Sequence, residues 1–267
     1  MKRNLCISII LAYFLISCEQ KTEWDFQPDH PFVVADCIIT NEFRRHEVRL
    51  SWSTDTLNQS VTGYSGAAVT ISDGLNEVSF FEDPGIAGRY VSEQAFRATV
   101  GKQYRLTIEW SGGSDAATAV MVPLAPIKEI EIFPSDGYYR YSFNENHYPC
   151  MMEISYNWSA DATYCSTYGS CQASEVFYHL NNLDAGKIFA PDKQVILFPK
   201  QTQIIRRKYS LSDDHQEFIR SLLLETEWRG GVFDTEQANV PTNFSNGLRG
   251  WFGACMVATD TLMFVDF

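Results

Sequence analysis

Alternation of apolar and polar residues at a period of two is the dominant pattern of the chain from residue 32 onward. Segments 47–53 and 104–110 show it most clearly, since every second side chain in each is apolar or aromatic. Asp73-Gly74 separates two further runs of this kind and is a hairpin signal. About seven short strands between residues 31 and 123 therefore predict a β-sandwich.

A second β-rich region is predicted beyond residues 123–126 (Pro-Leu-Ala-Pro), because two closely spaced prolines stiffen a connector and end a strand ladder. One later segment has helical spacing instead, with Ser212 as the N-cap and an apolar stripe beyond it. The predicted fold is mainly β: an immunoglobulin-like β-sandwich over 31–123, followed over 127–267 by a β-rich domain with one amphipathic helix near 212–226.

The N-terminus carries a targeting signal. A Lys-Arg pair precedes an apolar run, 5–16, that is too short to span a bilayer and has the length of a signal peptide's hydrophobic region. The run ends in Leu-Ile-Ser-Cys, in which a small residue precedes a thiol that can accept diacylglycerol. We therefore predict a signal peptide over 1–17, lipidation of Cys18 and a polar tether over 18–30. The alternative is an ordinary signal peptide followed by a chance cysteine.

The formal net charge is −12 at pH 7, and cleavage of the signal peptide removes Lys2 and Arg3, which makes the mature chain two charges more negative. An acidic surface disfavours nucleic acid and an anionic membrane face as partners. No later segment of the sequence is long and apolar enough for a transmembrane helix, so the lipid is the predicted attachment to the membrane.

Seven cysteines are present, and five of them remain once Cys6 is removed with the signal peptide and Cys18 is lipidated. Export permits disulfides, and an odd number leaves at least one thiol free. Cys165 and Cys171 flank a short turn-like sequence, and we predict that they form a disulfide. A metal site that uses this pair with His179 is the alternative, although no second closely spaced Cys/His pair completes a tetrahedral set. We predict no metal and no cofactor; the pairing of the remaining cysteines stays open.

Sequence motifs typical of enzymes are absent: there is no Gly-x-Gly-x-x-Gly, P-loop, His-Glu-x-x-His or Gly-x-Ser-x-Gly. Three titratable residues are consecutive in one turn: Asp213, Asp214 and His215. The start of a helix favours carboxylates without any catalytic role. We therefore predict no catalytic residues and a non-enzymatic protein. A hydrolase whose residues come from separate segments is the least favoured alternative.

Segment 136–148 is the predicted ligand site, because it crowds aromatic side chains around an arginine, asparagines and a histidine. Aromatic faces stack on sugars and other flat ligands, while the polar groups give directional hydrogen bonds. The alternative is a strand whose alternate aromatic side chains pack into the second domain. The residues predicted to contact a ligand are Tyr138, Tyr139, Arg140, Tyr141 and His147.

The most family-specific elements lie near the C-terminus. They are Pro241-Thr242-Asn243, Gly247, Gly250 and Phe252-Gly253-Ala254. These elements resemble the end of a domain-of-unknown-function family of outer-membrane lipoproteins from Bacteroidetes-type bacteria. The early segments FVVADCIIT and AAVTISDG…GRY…GKQYRLTI are similar to the same family, and the latter also resembles transthyretin-like or carboxypeptidase-regulatory immunoglobulin-like domains.

Lipoproteins of this family resemble accessory partners of TonB-dependent outer-membrane transporters. The resemblance therefore implies an outer-membrane location and a binding or accessory subunit that works with such a transporter in nutrient uptake. It leaves open the ligand and the membrane face, and a surface adhesion or structural module is the alternative. Asp55-Thr56-Leu57 also resembles the O-glycosylation acceptor of such bacteria, with Thr56 as the predicted site.

Overall fold

The described chain consists mainly of β-strands, as the sequence predicts. A computed structural model describes residues 31–54, 59–144, 149–181, 195–228 and 240–265. The strands in these ranges are β1 (Val33–Thr40), β2 (Glu47–Trp52), β3 (Ala68–Ser72), β4 (Glu77–Glu82), β5 (Arg89–Ser92), β6 (Gln103–Trp110), β7 (Gly113–Val120), β8 (Glu131–Ser135), β9 (Tyr138–Ser142), β10 (Cys150–Asn157), β11 (Gln172–His179), β12 (Thr202–Ser210), β13 (Arg249–Cys255) and β14 (Val257–Phe264). The helices are α1 (Ala162–Tyr168) and α2 (Asp213–Glu225).

Eight strands form one sheet in the order β13-β1-β2-β5-β4-β3-β6-β7. Its neighbours are antiparallel except β1 and β13, which run parallel. The sheet curls until its two outer strands meet, since Val122, just beyond β7, bridges to Cys255 at the end of β13. Buried apolar side chains from all eight strands fill the enclosed space. The result is the sandwich-like arrangement that the alternating segments predict.

A second sheet has the order β11-β10-β12-β14 and is antiparallel throughout. Because side chains alternate between faces, Ile154 and Tyr156 of β10 project to one side and Met151 to the other. The first face is covered by the β8–β9 hairpin, and the second by α2, whose Ile219 and Leu223 share a core with Met151.

The two sheets are joined at Met256, the single residue between β13 and β14. The Met256 N–H donates to Ser210 Oγ at 2.9 Å, and that hydroxyl donates to the Val122 carbonyl at 2.9 Å. Residues 31–267 accordingly form one compact unit. The domain boundary at 123–126 stays a prediction from sequence.

Helix α2 confirms the predicted helix. Ser212 Oγ accepts a hydrogen bond from the His215 N–H at 3.3 Å, and acidic residues occupy the first turn. Helix α1 differs from the expectation of a turn-like loop around Cys165. Its N-cap Asp161 accepts from the Tyr164 N–H at 2.9 Å, and Gly169, with φ of 81°, ends it. Neither described helix is long and apolar enough to cross a membrane.

Gly250 allows β13 to approach β1. Its φ is +99°, and a Cβ added there would lie 2.0 Å from the Ala35 carbonyl oxygen. No side chain fits at that distance, so the parallel pairing of these strands requires glycine.

Replacing Gly250 with alanine should lower the free energy of unfolding by about 3 kcal/mol or more, because it combines an unfavourable φ with a clash against β1. Gly74→Ala is the matched control: Gly74 also has a positive φ, +86°, but nothing lies within 4 Å of the added methyl group. It should cost only about 1 kcal/mol. Urea denaturation of both variants measures the difference, and equal losses would contradict the role assigned to the close approach.

Asp115 of β7 fixes the segment that leads into β13. Its carboxylate accepts hydrogen bonds from the backbone N–H groups of Ser245 at 2.9 Å, Asn246 at 2.8 Å and Leu248 at 3.0 Å. Burial alone raises the pKa of Asp115, but these N–H groups, with that of Ala116, outweigh it and hold the pKa below its ordinary value.

Because the pKa of Asp115 is lowered by folding, its stabilising contribution is present above the unfolded value of about 3.9 and is lost as pH falls through the folded value. Asp115→Asn should therefore destabilise the protein by about 1–3 kcal/mol at pH 7 and by less at pH 3. Urea unfolding at both pH values measures this, with Glu109→Gln, an exposed change on β6, as the control. A difference between Asp115→Asn and wild type that is independent of pH would show that the charge is unimportant.

Candidate binding site

A groove with a volume of about 950 Å³ runs between β9 and β11. This size is within the range of roughly 300–1,000 Å³ that is typical of small-molecule sites. Strand β9 forms one wall and β11 the other, while α1 contributes one aromatic ring. The lining residues are 140–143, Tyr168, 174–178, Val195, Ile196 and Glu227.

The edge of β11 lies along this groove. Among the described strands, β11 is one of the two outer strands of its sheet and pairs only with β10. Side chains from both of its faces line the groove, Glu175 and Phe177 from one and Val176 and Tyr178 from the other. Backbone N–H and C=O groups at an open strand edge are hydrogen-bonding groups that a ligand can use.

Stacked aromatic rings connect the two walls. Phe143, just after β9, stacks on Phe177 of β11 with ring centroids 5.1 Å apart and planes 11° apart. Tyr141 lies 5.8 Å from the same Phe177 ring. These contacts bury part of each ring in the second core and leave the remainder to line the groove. The alternative of a strand whose aromatic side chains pack into the second domain therefore describes the packing of Tyr139, Tyr141 and Phe143.

The structure separates the residues that the sequence predicts as one ligand site. Arg140 and Tyr141 line the groove described above, whereas Tyr138 lines a separate hollow of about 540 Å³ beside α1. Tyr139 turns into the core, where its ring is 4.5 Å from that of Phe264. His147 lies outside the described residues. The sequence interpretation missed the β11 wall, because no local pattern shows which strand β9 will face.

A buried arginine lies in the sheet beside the groove. Glu175, Ile154, Arg206 and Asp260 align in one row across the four strands of the second sheet. Arg206 is buried and donates to the Asp260 carboxylate and, at 2.9 Å, to the Lys128 carbonyl oxygen. The row anchors the floor of the groove to the segment that precedes β8.

Two tyrosines near this row, Tyr141 and Tyr156, have raised pKa values and are protonated near neutral pH. Burial raises the pKa of Tyr141, although the Arg206 guanidinium partly offsets it, and burial together with the neighbouring Glu175 raises the pKa of Tyr156. Tyr156 donates its hydroxyl proton to Glu175. Phenols with raised pKa values are hydrogen-bond donors near neutral pH rather than bases. The groove thus offers aromatic faces, the polar side chains of Arg140 and Tyr141, and an open strand edge, which are the components of a binding site.

One family profile matches nearly the whole chain. The profile of a family described as Domain of unknown function (DUF4249) matches residues 19–261. The chain belongs to the DUF4249 family. No curated protein is significantly similar to it. The residues that match the DUF4249 profile include both walls of the groove and the first part of β14.

The Asp-Asp-His turn of the DUF4249 chain lies at the start of α2, with His215 in the protein interior. The His215 ring stacks on Trp251 with centroids 5.6 Å apart, and its Nδ1 is 3.6 Å from Cys255 Sγ. Burial lowers the pKa of His215 to about 4 and raises that of Cys255 to about 12. A catalytic cysteine needs access to its substrate as well as a lowered pKa, and both side chains here are buried, so this pair is a packing contact.

The cysteines of the DUF4249 chain fall into two groups. Cys165 and Cys171 form a disulfide with Cα atoms 4.5 Å apart, so neither is available as a metal ligand. Cys37, Cys150 and Cys255 are buried and take no part in this disulfide. Within the described ranges, no group of three or more His, Cys, Asp or Glu side chains is arranged to hold a metal ion.

Burial should protect Cys37, Cys150 and Cys255 of the folded protein from iodoacetamide. With a pKa of about 12, only about one part in ten thousand of the Cys255 thiol is ionised at pH 8. Peptide mapping after alkylation at pH 8 should find these residues unmodified in the folded protein and modified in urea. Cys165 and Cys171 serve as the internal control, since they stay unmodified in both states without a reductant. Rapid alkylation of Cys255 in the folded protein would contradict the packing role.

Proposed function

We propose that this protein is a non-enzymatic binding subunit that holds its ligand in the groove between β9 and β11. The observation that carries the proposal is the groove itself, in which an open strand edge faces a wall that presents Arg140 and Tyr141. The aromatic faces suit a flat or apolar ligand, and the edge of β11 suits an extended one.

The proposal places the protein at the outer membrane, anchored by lipid on Cys18. Its support is the sequence: an apolar run of signal-peptide length that ends in Leu-Ile-Ser-Cys. Cys18 lies outside the described residues, as does Thr56, the proposed O-glycosylation site. A tether over 18–30 reaches at most about 45 Å when fully extended, so the folded part stays near the membrane.

The proposed partner is a TonB-dependent transporter, to which the subunit delivers its ligand in nutrient uptake. The resemblance of the chain to accessory lipoproteins supports this partner. A surface adhesion or structural module is the second candidate, favoured by the packing of Tyr139, Tyr141 and Phe143 into the second core. The presence of a groove beside those rings favours binding over a purely structural role. A hydrolase is less favoured, because the low pKa of His215 arises from burial in the core.

Affinity purification from native membranes should recover a TonB-dependent transporter with the wild-type protein. Native mass spectrometry of the same preparation should show an added mass from bound ligand. Val195→Asp, an exposed change in the groove, should remove the added mass because it places a charge beside the aromatic wall.

Leu75→Asp, the same kind of change at an exposed residue between β3 and β4, is the matched control and should retain both the transporter and the added mass. Absence of any transporter from the wild-type preparation would count against the accessory role. An added mass that survives Val195→Asp would instead count against the groove.

A further inference from the structure

Three large apolar side chains lie exposed at the end of the eight-stranded sheet where the described chain begins. Phe32 is 40% exposed, Trp52 38% and Val61 61%. Their backbone segments are adjacent: the Ser53 N–H donates to the Phe32 carbonyl at 2.9 Å, and the Trp52 N–H donates to the Thr62 carbonyl at 2.9 Å. We call the described residues 32, 51–54 and 59–64 the tip.

The described side chains of the tip are uncharged, and Asp55 of the same loop lies outside the described residues. The tip's described residues are serine, threonine, glutamine, glycine, valine and aromatic residues, within a chain whose net charge is −12. The neighbouring turn between β6 and β7, Ser111-Gly112, is also uncharged, and Ser111 Oγ lies 2.9 Å from the Tyr64 hydroxyl. The turn between β4 and β5 also borders the tip, since a Cβ added to Gly63 would lie 2.0 Å from the Ala87 carbonyl oxygen, and Asp83 of that turn is paired with Arg89 at 2.9 Å. The described side chains of the tip itself therefore carry no charge to desolvate.

The tip is also where the chain enters the fold from the tether. Residue 31 is the first described residue, and Cys18 precedes Phe32 by a stretch that extends to at most about 45 Å. From the tip, β1 and β13 run in parallel to Thr40 and Cys255, where the second sheet begins. The tip and the second sheet, with its groove, are therefore at opposite ends of these strands.

We propose that the tip rests on the lipid bilayer, with Phe32, Trp52 and Val61 in the interfacial region. Tryptophan prefers the membrane–water interface, where its ring contacts acyl chains while its N–H remains near water. The proposal rests on the lipid anchor at Cys18, which holds the tip within reach of the surface. It assigns the bilayer as occupant because the anchored segment enters the fold beside these exposed apolar side chains.

Tryptophan quenching by brominated lipid tests the proposal with the full-length protein from its own membranes. The protein carries Trp24→Phe to remove the tryptophan of the tether and is placed in phosphatidylcholine vesicles with brominated acyl chains. Bromine quenches indole fluorescence on contact, so the vesicles should quench the protein. Adding Trp52→Phe should remove about half of that quenching or more, since Trp52 is the exposed tryptophan of the tip.

Val61→Asp in the Trp24→Phe background should also reduce the quenching, because it puts a charge into the contact, while Leu75→Asp should leave it unchanged. Quenching that is absent from vesicle-bound protein, or equal in every variant, overturns the proposal. A dimer that buries the tip and abolishes quenching overturns it as well. Intact-mass measurement of the same samples reports the acyl chains on Cys18, so failure of the anchor is distinguishable from failure of the tip contact.

Discussion

The parallel pairing of β1 with β13 is the constraint on which the rest of the fold depends. The two strands stay in register from Val34 opposite Arg249 to Thr40 opposite Cys255, so the first and the second-last of the described strands share one sheet. Only one residue then separates β13 from β14, and the second sheet must begin where the first ends. Parallel pairs cannot be joined by a tight hairpin, and the intervening chain supplies most of both sheets as the connection.

The position of the groove follows from that constraint. With β14 fixed by β13, β12 and β10 add in order and leave β11 as the outer strand. Buried Arg206 and Lys208 of β12 donate to the carbonyls of Lys128 and Pro126, which brings the segment before β8 across this face. Buried cations need such partners, so they fix where the chain crosses. The β8–β9 hairpin follows from there and stands beside the open edge of β11.

Local elements of this fold can be predicted from the sequence, whereas the pairing of segments that are distant in sequence cannot. The alternation in β6 and the Ser212 cap of α2 are read from neighbouring residues, as is the proximity of Cys165 to Cys171. Gly250 is the residue whose identity reflects the pairing of β1 with β13, and a single glycine does not indicate which strand lies beside it. The residues of the predicted ligand site lie in different places for a related reason. Consecutive residues of a strand face opposite ways, so Tyr139 turns into the core while Arg140 turns outward.

An open strand edge invites association with other chains, and the surroundings of β11 limit that hazard. The edge is recessed between β9 and the Tyr168 ring of α1, with Glu175 and Glu227 beside it. Walls on both sides of a strand edge hinder pairing with a whole sheet from another molecule more than pairing with a single extended ligand. Charged side chains at the edge also oppose stacking of identical edges, because like charges would be brought together. The features that protect the edge from aggregation are therefore those that would make it selective in the proposed binding role.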